Sequence, residues 1–180
     1  MPQQELVFSG FGGQGVMFVG QLLAYAAMEH GLNVTWIPSY GPEMRGGTAH
    51  CFVVISDKAI GSPLVRSPKI AVVFNNPSFE KYEPLIAPGG LLAINASMIG
   101  ARTARQDIDE LAVPATDIAG ELGALRLANM VLLGAVLGAR PLLPLEAVEH
   151  ALDQHIPPHR RDMLKLNIQA LHRGLEPVTA

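Results

Sequence analysis

Four glycines are grouped near the start of the chain, in the segment Phe8-Ser9-Gly10-Phe11-Gly12-Gly13-Gln14-Gly15. A short apolar run precedes this segment and a helical pattern follows it. A glycine turn between a strand and a helix directs several backbone N–H groups, and the positive end of the helix dipole, toward one point. Such a point suits a phosphate, a carboxylate or a closely approaching backbone. Gln14 adds an amide that can donate and accept hydrogen bonds, to a ligand or to a facing chain.

A second glycine-rich loop, residues 39–48, follows the second predicted strand and reads Ser-Tyr-Gly-Pro-Glu-Met-Arg-Gly-Gly-Thr. The neighbouring Gly46 and Gly47 leave the guanidinium of Arg45 little hindered. A guanidinium can bind a phosphate or a carboxylate through two parallel hydrogen bonds. The alternative is a surface ion pair between Arg45 and Glu43, which would contribute well under ~1 kcal/mol.

The spacing Gly10-x-Gly12-x-x-Gly15 matches the dinucleotide-binding fingerprint. That fingerprint also requires an acidic residue about 20 positions further on, where the second strand ends, to bind a ribose hydroxyl. This chain has Trp36-Ile37-Pro38-Ser39 in that place. The sequence therefore disfavours a nicotinamide or flavin site. Glycines that serve only a tight turn and close packing are a further alternative.

Catalytic and redox groups of the usual kinds are missing from the sequence. Cys51 is the single cysteine, and no disulfide framework, zinc site or iron–sulfur cluster can be built from it alone, so we expect a buried, apolar role for it. Among the six histidines, only His155 and His159 are four residues apart, and two prolines separate them. We therefore expect no metal site. No serine lies in a nucleophile elbow, and no pair of carboxylates is spaced for acid–base catalysis.

Composition and charge restrict the class of protein. The 180 residues are predicted to form a single domain, 1–180. Charged residues make up 16% of the chain, against about 25% in an average domain, which suggests a surface partly buried by other chains. The net charge of −3 argues against nucleic-acid binding. The longest uncharged apolar stretch, 127–139, is shorter than the ~20 residues that cross a bilayer. With no signal-peptide pattern, we expect a cytoplasmic protein.

Apolar runs and turn residues predict an α/β protein with a three-layer, Rossmann-like arrangement, in which a mostly parallel sheet is flanked by helices. The strand at 49–56 has no helix before it and is expected to be antiparallel or at an edge. Pro38 is expected to end the second strand, and Gly31 and Gly174 are expected to terminate helices. The predicted strands are 6–9, 33–37, 49–56, 70–74 and 91–94, and the predicted early helices are 16–29 and 78–86.

The C-terminal third, from Thr116, is predicted to be helical, with helices at 125–137, 145–155 and 160–172. The first of these three helices carries small residues that favour the close approach of another element: Ala128, Gly134, Ala135 and Gly138.

The two glycine-rich loops, 10–15 and 39–48, resemble those of the gamma subunit, or gamma domain, of the 2-oxoacid:ferredoxin oxidoreductases. The Ser-Tyr-Gly-Pro-Glu-Met-Arg-Gly-Gly form is most similar to the 2-oxoglutarate branch, with pyruvate, branched-chain and indolepyruvate relatives left open. Further matches follow in order along the chain, at 55–57, 60–63, 88–90, 113–116 and Asn129-Met130 before 133–135.

The resemblance implies one subunit of an enzyme that converts a 2-oxoacid and coenzyme A to acyl-CoA, CO₂ and reduced ferredoxin. The chain lacks the Gly-Asp-Gly…Asn-Asn pattern expected for thiamine diphosphate and Mg²⁺, and it lacks the cysteines for an iron–sulfur cluster. Those cofactors are therefore expected on alpha, beta or delta-type partner subunits, and the isolated chain is expected to be inactive. The alternatives are a stand-alone Rossmann-type nucleotide-binding dehydrogenase and a purely structural scaffold subunit.

The same resemblance implies that the two loops lie side by side, facing the partner subunits near the access path of coenzyme A, where they bind its phosphates or a partner's carboxylate. The candidate binding residues are Gly10, Gly12, Gly13, Gln14, Gly15, Tyr40, Glu43, Arg45, Gly46, Gly47 and Asn129.

Overall fold

The structure is a computed structural model that describes residues 2–40 and 48–176. Within these residues, six strands form one mixed sheet in the order β2-β3-β1-β4-β5-β6. β1 pairs with β4, β4 with β5 and β5 with β6 in parallel, whereas β3 is antiparallel to both β1 and β2. The strands are β1 Gln4–Phe11, β2 Asn33–Tyr40, β3 Thr48–Ser56, β4 Ile70–Val73, β5 Leu91–Asn95 and β6 Asp109–Val113.

Helices cover both faces of the sheet, which confirms the predicted α/β layers. On one face, α1, α3 and α4 share the larger apolar core with the sheet, and α5 and α6 pack outside them on α1 and α4. On the other face, α2 covers β1 and β4 over the smaller core. The helices are α1 Val16–Glu29, α2 Asn76–Tyr82, α3 Ala115–Glu121, α4 Ala128–Ala139, α5 Leu145–His155 and α6 Leu164–Leu175, and 3-10 turns span Glu83–Leu85, Leu125–Leu127 and Pro158–Met163. Among residues 2–40 and 48–176, each helix lacks the length or the hydropathy that a membrane-spanning helix needs.

β3 agrees with the expectation of an antiparallel or edge strand, whereas β2 and β6 differ from what the sequence predicts. β3 is antiparallel as predicted, but it lies inside the sheet, and β2 is the edge strand. Pro38 does not end β2, which continues to Tyr40. A proline lacks an N–H donor, and an edge strand can leave that position unpaired on its open side. β6, which the sequence analysis did not predict, begins with two acidic residues and is only partly buried at the other edge of the sheet.

The C-terminal third is helical as predicted, but two of its helices begin as 3-10 turns, at Leu125 and Pro158. Gly174 was expected to terminate a helix and instead lies inside α6. The close contact between α6 and α4 explains this difference. A Cβ on Gly174 would lie 1.9 Å from Val131 O of α4, and one on Gly134 would lie 2.0 Å from Leu171 O of α6. The two glycines let the backbones of α4 and α6 come into direct contact.

Candidate functional site

The glycine loop, residues 10–15, connects the carboxyl end of β1 to the first turn of α1. A hydrogen bond from Gln14 N to Phe11 O, 3.2 Å long, closes the turn. Val19 N donates to Gly15 O at 3.0 Å, but the backbone amides of 12, 13 and 15–18 have no acceptor within the described ranges. α1 also has no side-chain N-cap and no acidic residue in its first turn. The donors and the positive end of the helix dipole are therefore available to an anion.

The side chain of Gln14 fastens this loop to the end of β4. Its Oε1 accepts hydrogen bonds from Phe11 N at 2.7 Å and from Asn75 Nδ2 at 3.5 Å, and its Nε2 donates to Phe74 O at 3.4 Å. The sequence suggested that this amide would meet a ligand or another chain. In the structure its polar atoms bind within the chain, because the turn brings them to the β4–α2 connection. Gln14 therefore fixes the conformation of the loop.

Three of the four glycines in the loop are explained by the fold itself. A Cβ on Gly10 would lie 2.5 Å from Gln14 Oε1, and Gly13 has a φ of +95°. Gly15 combines a φ of +74° with a Cβ position only 2.3 Å from Asn129 Nδ2. Gly12 differs, since a Cβ there would meet no described atom within 4 Å. Tight turns and packing thus account for Gly10, Gly13 and Gly15, while Gly12 is open to a ligand or partner.

Asn129, another candidate residue, lies in the first turn of α4, and its side chain holds the glycine loop in place through a hydrogen bond. Its Nδ2 donates to Gly15 O at 3.2 Å, its Oδ1 accepts from Met130 N at 2.9 Å, and the side chain is 4% exposed. The interaction joins two helix starts that are far apart in sequence.

Replacing Asn129 with alanine is expected to destabilise the fold by about 1–3 kcal/mol, because the Gly15 carbonyl and the Met130 amide lose buried partners. Urea unfolding followed by circular dichroism measures the loss. The variant Gly12→Ala, with its open Cβ position, should unfold at the wild-type midpoint. Equal midpoints for Asn129→Ala and the wild type would contradict the supporting role.

β2, which precedes the second candidate loop, ends on the same side of the sheet as β1, which precedes the glycine loop. Gly10 of β1 and Tyr40 of β2 both pair with Ala49 of β3, so β1 and β2 run in the same direction with β3 between them. At the usual strand spacing, the ends of β1 and β2 are about 10 Å apart. Glu43, Arg45, Gly46 and Gly47 lie outside the described residues.

The position of β3 also bears on the dinucleotide alternative. In the Rossmann order, the second strand lies beside the first and brings its acidic residue to the ribose of a dinucleotide bound at the glycine loop. Here β3 separates β2 from β1, and β2 ends in Ser39-Tyr40. Glu29, at the far end of α1, pairs with His155 at 2.5 Å. The described residues therefore hold no acidic partner for a ribose in the Rossmann manner.

Comparison with known proteins agrees with this geometry. The sequence profile of pyruvate ferredoxin/flavodoxin oxidoreductase matches residues 5–177. The chain belongs to that family.

Relatives of the oxidoreductase family cover this chain to different extents. The 2-oxoglutarate synthase subunit KorC of Methanothermobacter marburgensis is 35% identical over an alignment of 181 positions, which covers 97% of this chain and 96% of KorC. The ketoisovalerate oxidoreductase subunit VorA of Methanothermobacter thermautotrophicus is 40% identical over 136 residues, 76% of this chain but 28% of VorA. The chain thus spans only about a quarter of the VorA relatives that it matches.

A solved structure has the same fold as this chain. The gamma subunit of a keto/oxoacid ferredoxin oxidoreductase from Geobacter sulfurreducens superposes with a TM-score of 0.84 at 26% identity, and the match covers 97% of this chain and 95% of that one.

The lone cysteine of this oxidoreductase-family chain is a packing residue, as expected from the sequence. Cys51 is fully buried, and a Cβ on Gly20 of α1 would lie 2.3 Å from its Sγ. Burial raises the pKa of the Cys51 thiol to about 12, so the thiolate needed for nucleophilic attack is scarce at neutral pH. No cluster of three or more potential metal ligands is found among residues 2–40 and 48–176.

A cavity of about 580 Å³, which no sequence pattern indicated, lies on the helical side of the glycine loop. Gly13 and Gly15 form one wall, and the 3-10 turns before α4 and α6 bring Arg126 and Arg160 to the others. The two arginines are 34 positions apart in the sequence, and nothing in their local patterns predicts that they converge.

Proposed function

We propose that this chain is the gamma component of a 2-oxoacid:ferredoxin oxidoreductase that converts 2-oxoglutarate and coenzyme A to the acyl-CoA, CO₂ and reduced ferredoxin. The similarity to KorC along nearly the whole of both chains carries this proposal. The VorA match supports a branched-chain 2-oxoacid as the second candidate substrate, but only over 28% of that relative. We also propose that the protein is located in the cytoplasm.

The chemical steps belong to partner subunits of the alpha, beta and delta types. An iron–sulfur cluster needs several thiolates, and the one cysteine in this sequence is inside the apolar core. The residues of this chain therefore do not fit such a cluster. Thiamine diphosphate with Mg²⁺, bound to a partner subunit, would supply the chemistry that cleaves the carbon–carbon bond. What this chain can offer the reaction is binding and orientation.

The glycine loop and the second glycine-rich loop, residues 39–48, here called the Arg45 loop, form the binding surface in this proposal. The unpaired amides at the start of α1 would donate hydrogen bonds to the phosphates of coenzyme A, and Arg45 would bind the same anionic group from the neighbouring loop. Gln14 and Asn129 hold the amides in place before the ligand arrives. Because such a site is already ordered, less of the ligand's binding free energy is lost in ordering the loop.

Replacing Arg45 with alanine in the reconstituted complex is expected to raise the KM for coenzyme A about tenfold or more, because a charge-assisted bidentate contact is lost. Steady-state ferredoxin reduction with varied coenzyme A measures the change. Arg45→Lys keeps the charge but loses the two-pronged contact, so its KM should fall between those of alanine and the wild type. An unchanged KM with intact assembly would remove Arg45 from this role and favour the scaffold alternative.

A further inference from the structure

We infer that the cavity behind the glycine loop is a second anion site, which binds a small organic molecule carrying a phosphate or carboxylate group. It shares Gly13 and Gly15 with the surface proposed for coenzyme A but extends from them to Arg126 and Arg160, whereas Gly12 and β2 do not line it. Its volume of about 580 Å³ lies within the range of about 300–1,000 Å³ that is usual for small-ligand sites.

The charged side chains around the cavity leave an excess of positive charge. Five arginines of the described chain form ion pairs with acidic side chains: Arg102, Arg105, Arg140, Arg161 and Arg173. Arg126 and Arg160 form no side-chain hydrogen bond or ion pair with any described residue, and both line this cavity. Asp162 is the single carboxylate in the lining, so two guanidinium groups face one negative charge. Guanidinium pairs of this kind bind oxyanions through parallel hydrogen bonds.

The remaining walls suit the rest of an organic ligand. Phe18, Ile156 and Met163 provide an apolar surface, and Asn167 supplies a buried polar group. Asn167 is 6% exposed and its Nδ2 donates to Met163 O at 2.8 Å, which leaves its Oδ1 without a donor among the described residues. A few convergent polar groups on a mainly apolar lining are typical of small-molecule sites.

Isothermal titration of the full chain with sodium pyrophosphate and, separately, with citrate tests the inference and distinguishes a phosphate source from a carboxylate source. We expect saturable binding of at least one probe. Arg126→Gln and Arg160→Gln should each weaken it about tenfold, the usual effect of losing one charge-assisted contact. Arg66→Gln is the matched control, because Arg66 is also exposed and without an ion-pair partner in the described chain but lies outside the cavity.

Three results would overturn the inference: no saturable binding of either probe, equal weakening by Arg66→Gln, or an effect of the two cavity variants on subunit assembly alone.

Discussion

Gly174→Ala is expected to destabilise the chain by at least about 3 kcal/mol, the upper part of the range for overpacking a core. The added Cβ would lie 1.9 Å from Val131 O and 2.9 Å from Ala135 N, both backbone atoms of α4. Backbone atoms in a packed helix cannot rotate away as a side chain can, so α4 and α6 must separate. For a chain of this length, the loss corresponds to a fall in Tm of roughly 6–12 °C, measurable by circular dichroism.

Gly138→Ala is the matched control for this prediction. It lies in the same helix pair, but the nearest atom to its added Cβ is Leu175 Cδ2 at 3.5 Å, an ordinary contact. Alanine favours helix over glycine by up to ~1 kcal/mol, so this variant should be as stable as the wild type or slightly more stable. Similar Tm values for Gly174→Ala and Gly138→Ala would contradict the described contact between α4 and α6.

Gly12→Asp is expected to raise the KM for coenzyme A at least about tenfold in the assembled complex, because a carboxylate beside the free amides of the glycine loop would repel phosphate and occupy its donors. The substitution should not harm folding. Gly12 has no positive φ, and a Cβ there meets no described atom within 4 Å. Steady-state kinetics with varied coenzyme A, together with the Tm of the isolated chain, measure both effects.

Gly12→Asn separates charge from size in that experiment. Its side chain has nearly the shape of aspartate but no charge, so its KM should lie much nearer to that of Gly12→Ala than to that of Gly12→Asp. If all three variants kept the wild-type KM in an assembled complex, the loop would not bind the anion. Loss of assembly with Gly12→Asp would instead indicate that the loop contacts a partner subunit.

Local patterns predicted much of the fold. The bounds of α1 and α5 agree with the predicted helices, because both carry amphipathic or apolar periodicity between strong turn signals. The strand that follows the Arg45 loop was identified, but its place inside the sheet was not. Pairing order depends on contacts between distant segments, and periodicity does not report these. β6 was not predicted because its first two residues, Asp109 and Glu110, are charged, and the apolar run that follows them is too short to indicate a strand.

The candidate site was predicted unevenly for the same reason. The glycine loop and Asn129 were both identified, and the structure brings them into contact through Gly15 O. The hydrogen bonds of Gln14 to Phe74 O and from Asn75 Nδ2 depend on the end of β4, about 60 residues further along the chain. The convergence of Arg126 and Arg160 depends on two 3-10 turns that the helical patterns concealed.

The division of labour between this chain and its partners is the central claim, and ferredoxin reduction tests it most directly. The rate with 2-oxoglutarate and coenzyme A should be measured for this chain alone, for the co-purifying partner subunits alone and for the assembled complex. We predict reduction by the assembled complex and none by this chain alone. Oxidation of a 2-oxoacid by the purified chain without any partner would contradict the account.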